Sequence, residues 1–138
     1  NTYQASYPVK DNLNPAKVAE VGKVYHEHIR RLIAEPEYQQ LLIDYLAFLH
    51  QEPGVKINWA PLVQSVQGAG KSALAELARA TLGPTNVRPL KGSDLMDRQY
   101  CEWAEGHQLV VIEAIRVVGH NRHEVMNAIK PVHLSRIG

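Results

Sequence analysis

Apolar and polar positions follow two different rhythms along this chain, and the change falls near residue 55. Before it, Val18, Val21, Val24 or Tyr25, Ile29, Leu32 and Ile33 recur three and four residues apart, the spacing of one helical face. Asn14-Pro15 predicts the start, because asparagine caps free N–H groups and proline fits a first turn that needs no N–H from it. Glu35-Pro36 predicts the stop, since the residue before a proline is pushed out of the helical region. A second stripe of Leu41, Leu42, Tyr45, Leu46 and Leu49 predicts a helix from about residue 37 to 51, ended by Pro53-Gly54. Ahead of both, residues 1–14 are polar, aperiodic and broken by Pro8. They read as an extended lead-in or linker, and residues 15–54 as a helical preface.

After residue 55 short apolar runs alternate with helical stretches. Residues 55–66 (VKINWAPLVQSV) hold β-branched and aromatic residues, with Leu62, Val63 and Val66 as the expected buried strand. Residues 71–82 (KSALAELARATL) are strong helix formers on an amphipathic pattern, closed by Gly83-Pro84. Residues 86–90 predict a short strand, and Ser93 caps an expected helix to about residue 104. The fully apolar run at residues 109–112 (LVVI) predicts a strand covered on both faces. Asn121 with Glu124 three residues later has the form of a capping box, opening a helix that ends before Pro131. Such alternation predicts an α/β fold with a largely parallel sheet over residues 55–138.

Composition narrows the class without naming a task. The chain has 138 residues, 45% hydrophobic and 21% charged, the make-up of one ordinary globular domain. Its apolar runs fall short of the ~20 residues a membrane span requires, so no membrane role is expected. A single cysteine, Cys101, makes no internal disulfide and points to a reducing cytoplasm. The formal net charge is +1, so any contact with nucleic acid must come from a local patch or from several copies acting together. The chain opens on Asn1, and residues 132–138 offer no convincing closing element. It reads as an excerpt or a truncated product.

Chemistry concentrates at residues 65–72. Ser65, Val66, Gln67, Gly68, Ala69, Gly70, Lys71 and Ser72 lie between an expected strand and an expected helix, the context of the phosphate-binding P-loop. Gly68 and Gly70 let the backbone turn so that successive N–H groups point at phosphate oxygens. The following helix adds the positive end of its dipole. Lys71 is placed to reach the β- and γ-phosphates of ATP, and the Ser72 hydroxyl to ligate Mg²⁺. Ser65 stands where the pattern has its first glycine, which predicts weakened rather than abolished binding.

A nucleotide site of this kind needs an acid at the end of a second strand. Residues 109–113 (LVVIE) fit, delivering Glu113 to the strand's C-terminal end as a catalytic and metal-binding carboxylate. The interval from Lys71 leaves room for one strand–helix unit between the two. Glu113 is followed by Ala114, which offers no base to polarise an attacking water. Since a positioned base contributes ~10²–10⁴-fold, hydrolysis should suffer far more than binding.

Residues 1–3 (NTY), 57–61 (INWAP), 64–72 (QSVQGAGKS), 86–90 (NVRPL), 103–106 (WAEG), 109–113 (LVVIE) and 119–131 (GHNRHEVMNAIKP) together resemble the primase-helicase proteins of phages and prophages. The likeness is to the superfamily III-like helicase domain that follows a primase-polymerase domain, and it extends to about Val132. It implies an AAA+-like P-loop NTPase core and a ring-shaped oligomer. It also implies ATP- and Mg²⁺-driven movement on single-stranded or forked DNA beside a primase-polymerase partner, in a bacterial or phage-infected cell. The family's P-loop usually begins with glycine and its acid strand usually ends in two acids, where this chain has Ser65 and Ala114. The family domain continues with a strand bearing a polar sensor residue and then a basic residue serving the neighbouring subunit. Residues 132–138 do not resemble that continuation, so the C-terminal part of the motor is expected to be missing.

The remaining candidates are weaker. Arg116, His120 and Arg122, with Asn121 and His123, form the best local basic patch, a DNA- or neighbour-facing loop if not simply a mobile polar one. His26 and His28 stand two apart on a helix and so on different faces, a poor metal pair. Arg30-Arg31 reads as a solvated face, and Trp59 and Trp103 as packing residues. Two alternatives stand beside the helicase module: a non-enzymatic oligomerisation or interaction remnant, and another P-loop ATPase or a nucleotide kinase. A kinase would need acceptor and lid arginines downstream, for which the chain leaves no space.

Overall fold

The computed structural model describes residues 13–91 and 106–113, and the backbone of residues 133–137. Two helices come first, α1 (Pro15–Leu32) and α2 (Pro36–Gln51). The Asn14 side chain caps α1 by accepting from the Ala16 N–H at 3.0 Å, and Pro15 and Pro36 each occupy a first-turn position. The turn between the helices is closed by Gln39, whose amide donates to the Ile33 carbonyl at 2.8 Å. Strand β1 (Trp59–Val63) leads to helix α3 (Lys71–Leu82), followed by β2 (Val87–Lys91), β3 (Leu109–Glu113) and β4 (His133–Ile137).

The strands pair in parallel as two two-stranded sheets, β1 with β4 and β2 with β3. Parallel neighbours need crossover connections, so the mixed helix–strand order and the parallel pairing follow the alternating pattern, whereas the described strands form two separate pairs rather than the one largely parallel sheet expected. β1 and β2 each carry a proline at the centre, Pro61 and Pro89. A proline gives no N–H to a ladder, which is compatible with strands that have one described partner apiece.

The core forms around the helices. Ile29, Leu32, Ile33 and Leu42 make one buried cluster, with Tyr25, Leu46, Ala69 and Leu74 against it. Leu49, Ala78, Leu82 and Val87 make a second, joined by Tyr45, Ile57, Leu109 and Val111. Each fully buried aliphatic side chain contributes about 1.5–3 kcal/mol, so the α2 stripe, which feeds both clusters, ties preface to sheet. His50 adds a polar link between α2 and α3, with Nε2 2.8 Å from the Thr81 hydroxyl. Asn86 is buried, at 1% exposure, and its amide donates to the Leu82 carbonyl at 2.8 Å. Its own carbonyl accepts from the N–H groups of Gln108 and Leu109.

Four further expectations change. The first half of the α1 stripe is not core: Val18, Val21 and Val24 are 51–69% exposed, because the packed part of α1 begins at Tyr25 and the described fold sets nothing against the earlier turns. Of the expected buried strand, Leu62 and Val63 lie in β1 but are only half-buried, and Val66 is 78% exposed in the loop beyond it. The run at residues 109–112 is half-buried throughout rather than fully covered. Residues 133–137, where no closing element is expected, form a strand beside β1. The helices expected near residues 93–104 and 121–131 lie outside the described residues, as do Cys101 and Trp103. Among the described residues no helix is long and apolar enough to cross a membrane.

Candidate functional site

The loop at residues 65–72 leaves the C-terminal end of β1 and enters α3. Its two glycines adopt backbone conformations that side-chain-bearing residues rarely take, φ 82° at Gly68 and φ 94° at Gly70. Gly70 is the residue before α3 and supplies no side-chain cap. The first N–H groups of a helix have no partner within it, so the loop presents donors and the positive end of the α3 dipole on one side. An anion is the ligand such a helix start suits. Val66, Gln67 and Gly68 are exposed, whereas Ala69 packs on the α1–α2 cluster. One side of the loop is therefore anchored and the other open.

Lys71 is drawn back into the loop. Its ammonium donates to the Ser65 carbonyl at 3.0 Å, the Ser65 hydroxyl at 2.8 Å and the Val66 carbonyl at 3.0 Å. An ammonium has three donors, so all three are engaged. The Ser65 hydroxyl is an acceptor that the usual glycine would lack, and it in turn faces the Val66 carbonyl at 3.4 Å. Sequence alone marks Ser65 as a departure from the pattern without showing that it holds the lysine. Ser72, in the first turn of α3, is exposed and open to solvent.

His28 is the residue that sequence reading misses. It projects from α1, half-buried, with Nε2 3.0 Å from the Gly70 carbonyl across 42 positions of chain. A carbonyl only accepts, so Nε2 carries the hydrogen. Spacing within α1 holds no signal for this contact. Its neighbour His26 is exposed. Arg30 and Arg31 sit on a solvated face as expected, both directed at Glu27 at 3.8 and 3.2 Å.

Glu113 ends β3, exposed, in register with Lys91 of β2. Among the described residues no hydrogen bond or ion pair joins it to the loop. The loop strand β1 and the acid strand β3 belong to different described pairs. Ala114 and the basic patch of Arg116, His120 and Arg122 lie outside the described residues.

Away from the loop, a concavity of about 400 Å³ is lined by Leu41, Tyr45, Phe48, Lys56, Ile57 and Trp59 among others. Trp59 packs on Tyr45 with ring centroids 4.9 Å apart, the packing role its sequence context predicts, and burial pushes the Tyr45 phenol above its ordinary pKa. This concavity lies at the first residue of β1, whereas the loop leaves the last. Ligands of open α/β sheets bind beyond the C-terminal ends of the strands, which favours the loop. Compared with known proteins, the chain matches no family model, no curated protein and no solved structure.

Proposed function

We propose that this chain is an ATP- and magnesium-binding module of a phage- or plasmid-type replicative DNA helicase, built on a P-loop NTPase core and impaired in hydrolysis. The observation that carries the nucleotide reading is the strand–loop–helix at residues 59–82, with Gly68 and Gly70 at positive φ immediately before Lys71 and Ser72. The helicase assignment rests on the sequence resemblance. The donor set fits a triphosphate: backbone N–H groups at an uncapped helix start, one ammonium, and one exposed hydroxyl. Residues 66–72 would hold the phosphates, while Ser72 and Glu113 would share the magnesium. Bound ATP would supply a γ-phosphoryl group whose hydrolysis drives movement in such motors.

What this chain's own residues do follows from the geometry. Lys71 must exchange acceptors on Ser65 and Val66 for phosphate oxygens, so part of its binding energy is offset. Glu113 offers a carboxylate and, followed by alanine, has no companion acid to take a proton from water. Calorimetry with ATP–Mg²⁺ should show saturable binding, and phosphate release should stay at background even with single-stranded DNA. Absence of binding heat would refute the nucleotide reading; robust phosphate release would refute the impairment. DNA affinity should be weak and should fall as salt rises, given the near-zero net charge.

One observation favours the second reading, a non-enzymatic interaction module. Val18, Val21 and Val24 form an exposed apolar row on α1, a surface that a partner would cover. Such a module would bind no ATP, so the same calorimetry separates the two.

A further inference from the structure

We infer that His28 is a positioning residue for the phosphate loop, holding the Gly70–Lys71 peptide so that the Lys71 N–H faces an incoming phosphate; the inference rests on the nucleotide reading above. The Gly70 carbonyl accepts from two directions, the Ala73 N–H at 3.1 Å and His28 Nε2 at 3.0 Å. Two lone pairs are all a carbonyl has, so this one is saturated and its plane is fixed by α3 on one side and α1 on the other. The described peptides are trans, and in a trans peptide the N–H points opposite to the C=O. Fixing the Gly70 carbonyl towards α3 and α1 therefore aims the Lys71 N–H back into the loop. Donation to the carbonyl also polarises the peptide and strengthens its N–H as a donor, as in any hydrogen-bonded chain.

The contact is packed as well as polar. A Cβ placed on Gly70 would lie 2.5 Å from His28 Cε1 and 3.2 Å from Nε2, so the ring occupies the space that glycine leaves open. Gly70 is thus required twice, for its φ of 94° and for the imidazole beside it. Ile29, next to His28, is fully buried in the cluster on which Ala69 and Leu74 pack. The last turns of α1 consequently grip the loop at Ala69 by apolar contact and at Gly70 by a hydrogen bond.

Two variants separate positioning from packing: His28→Phe keeps a ring without a donor, and His28→Gln keeps an N–H donor of similar reach. ATP–Mg²⁺ affinity by calorimetry, melting temperature and the ¹⁵N–¹H shift of the Lys71 amide would be compared across the wild chain and both variants. His28→Phe should weaken binding about three- to tenfold, the worth of one net hydrogen bond, and shift the Lys71 amide. His28→Gln should restore affinity to within about twofold. Equal affinity in the two variants, whether both match the wild chain or both fall with the melting temperature, would overturn the inference while leaving the nucleotide reading intact. No ATP binding by the wild chain would instead overturn the nucleotide reading and this inference with it.

Discussion

The two halves of the candidate site are built to different standards. Residues 65–72 are anchored on one side: Gly70 by α1 and α3, and Ala69 by the α1–α2 cluster. Glu113 ends a five-residue strand with its side chain exposed and no described hydrogen bond or ion pair to orient it. Pre-organisation lowers the cost of binding and of charge stabilisation. An anchored loop and a carboxylate with no described partner therefore predict a protein better at holding nucleotide than at cleaving it. That difference also says where substitutions should matter.

The largest effect should come from Lys71→Ala. Charge-assisted hydrogen bonds are worth about 1.5–3 kcal/mol, so ATP–Mg²⁺ affinity should fall by roughly 10- to 100-fold in calorimetry. Equal heats from the variant and the wild chain would break the comparison at its stronger half. Next, Ser65→Gly removes one of the three acceptors that occupy the Lys71 ammonium. Affinity should rise about three- to tenfold, the equivalent of one hydrogen bond. Weaker binding would mean that the Ser65 hydroxyl places the lysine for its ligand rather than withholding it. The smallest change is expected from Glu113→Gln: less than about threefold in affinity with magnesium, and none without it, because a solvated carboxylate contributes little to binding. A loss as large as that of Lys71→Ala would show that the end of β3 joins the loop in one rigid site.

Much of the framework is legible in the sequence because local rules govern it. Asn14-Pro15 and Pro36 mark helix starts through fixed φ and capping, and the α2 stripe faces inward as its spacing predicts, with Leu42 and Leu49 buried and Leu41, Tyr45 and Leu46 half-buried. Gly68 and Gly70 are legible since left-handed backbone strongly favours glycine. What fails does so where a distant partner decides. Val18, Val21 and Val24 have the period of a buried face, but period cannot report whether anything packs there. Val66 is apolar, yet the chain has already left the strand to make the loop. His28 and the Ser65 hydroxyl gain their roles from residues across the fold and across the loop, and no spacing encodes that. Residues 133–137 alternate weakly and become a strand because β1 is there to pair with.

That last pairing has a consequence for how the molecule is made. Trp59–Val63 finds its described partner in His133–Ile137, whereas β2 and β3 are separated by a much shorter stretch of chain. Pairings between distant segments form late, because closing a long loop costs entropy before any contact repays it. During synthesis the strand that feeds the phosphate loop meets its described partner only once residue 137 has emerged from the ribosome. An unpaired edge is a template for the wrong neighbour. A nascent chain stalled short of that point should be the form most prone to aggregate, with its helices and the β2–β3 pair already in place.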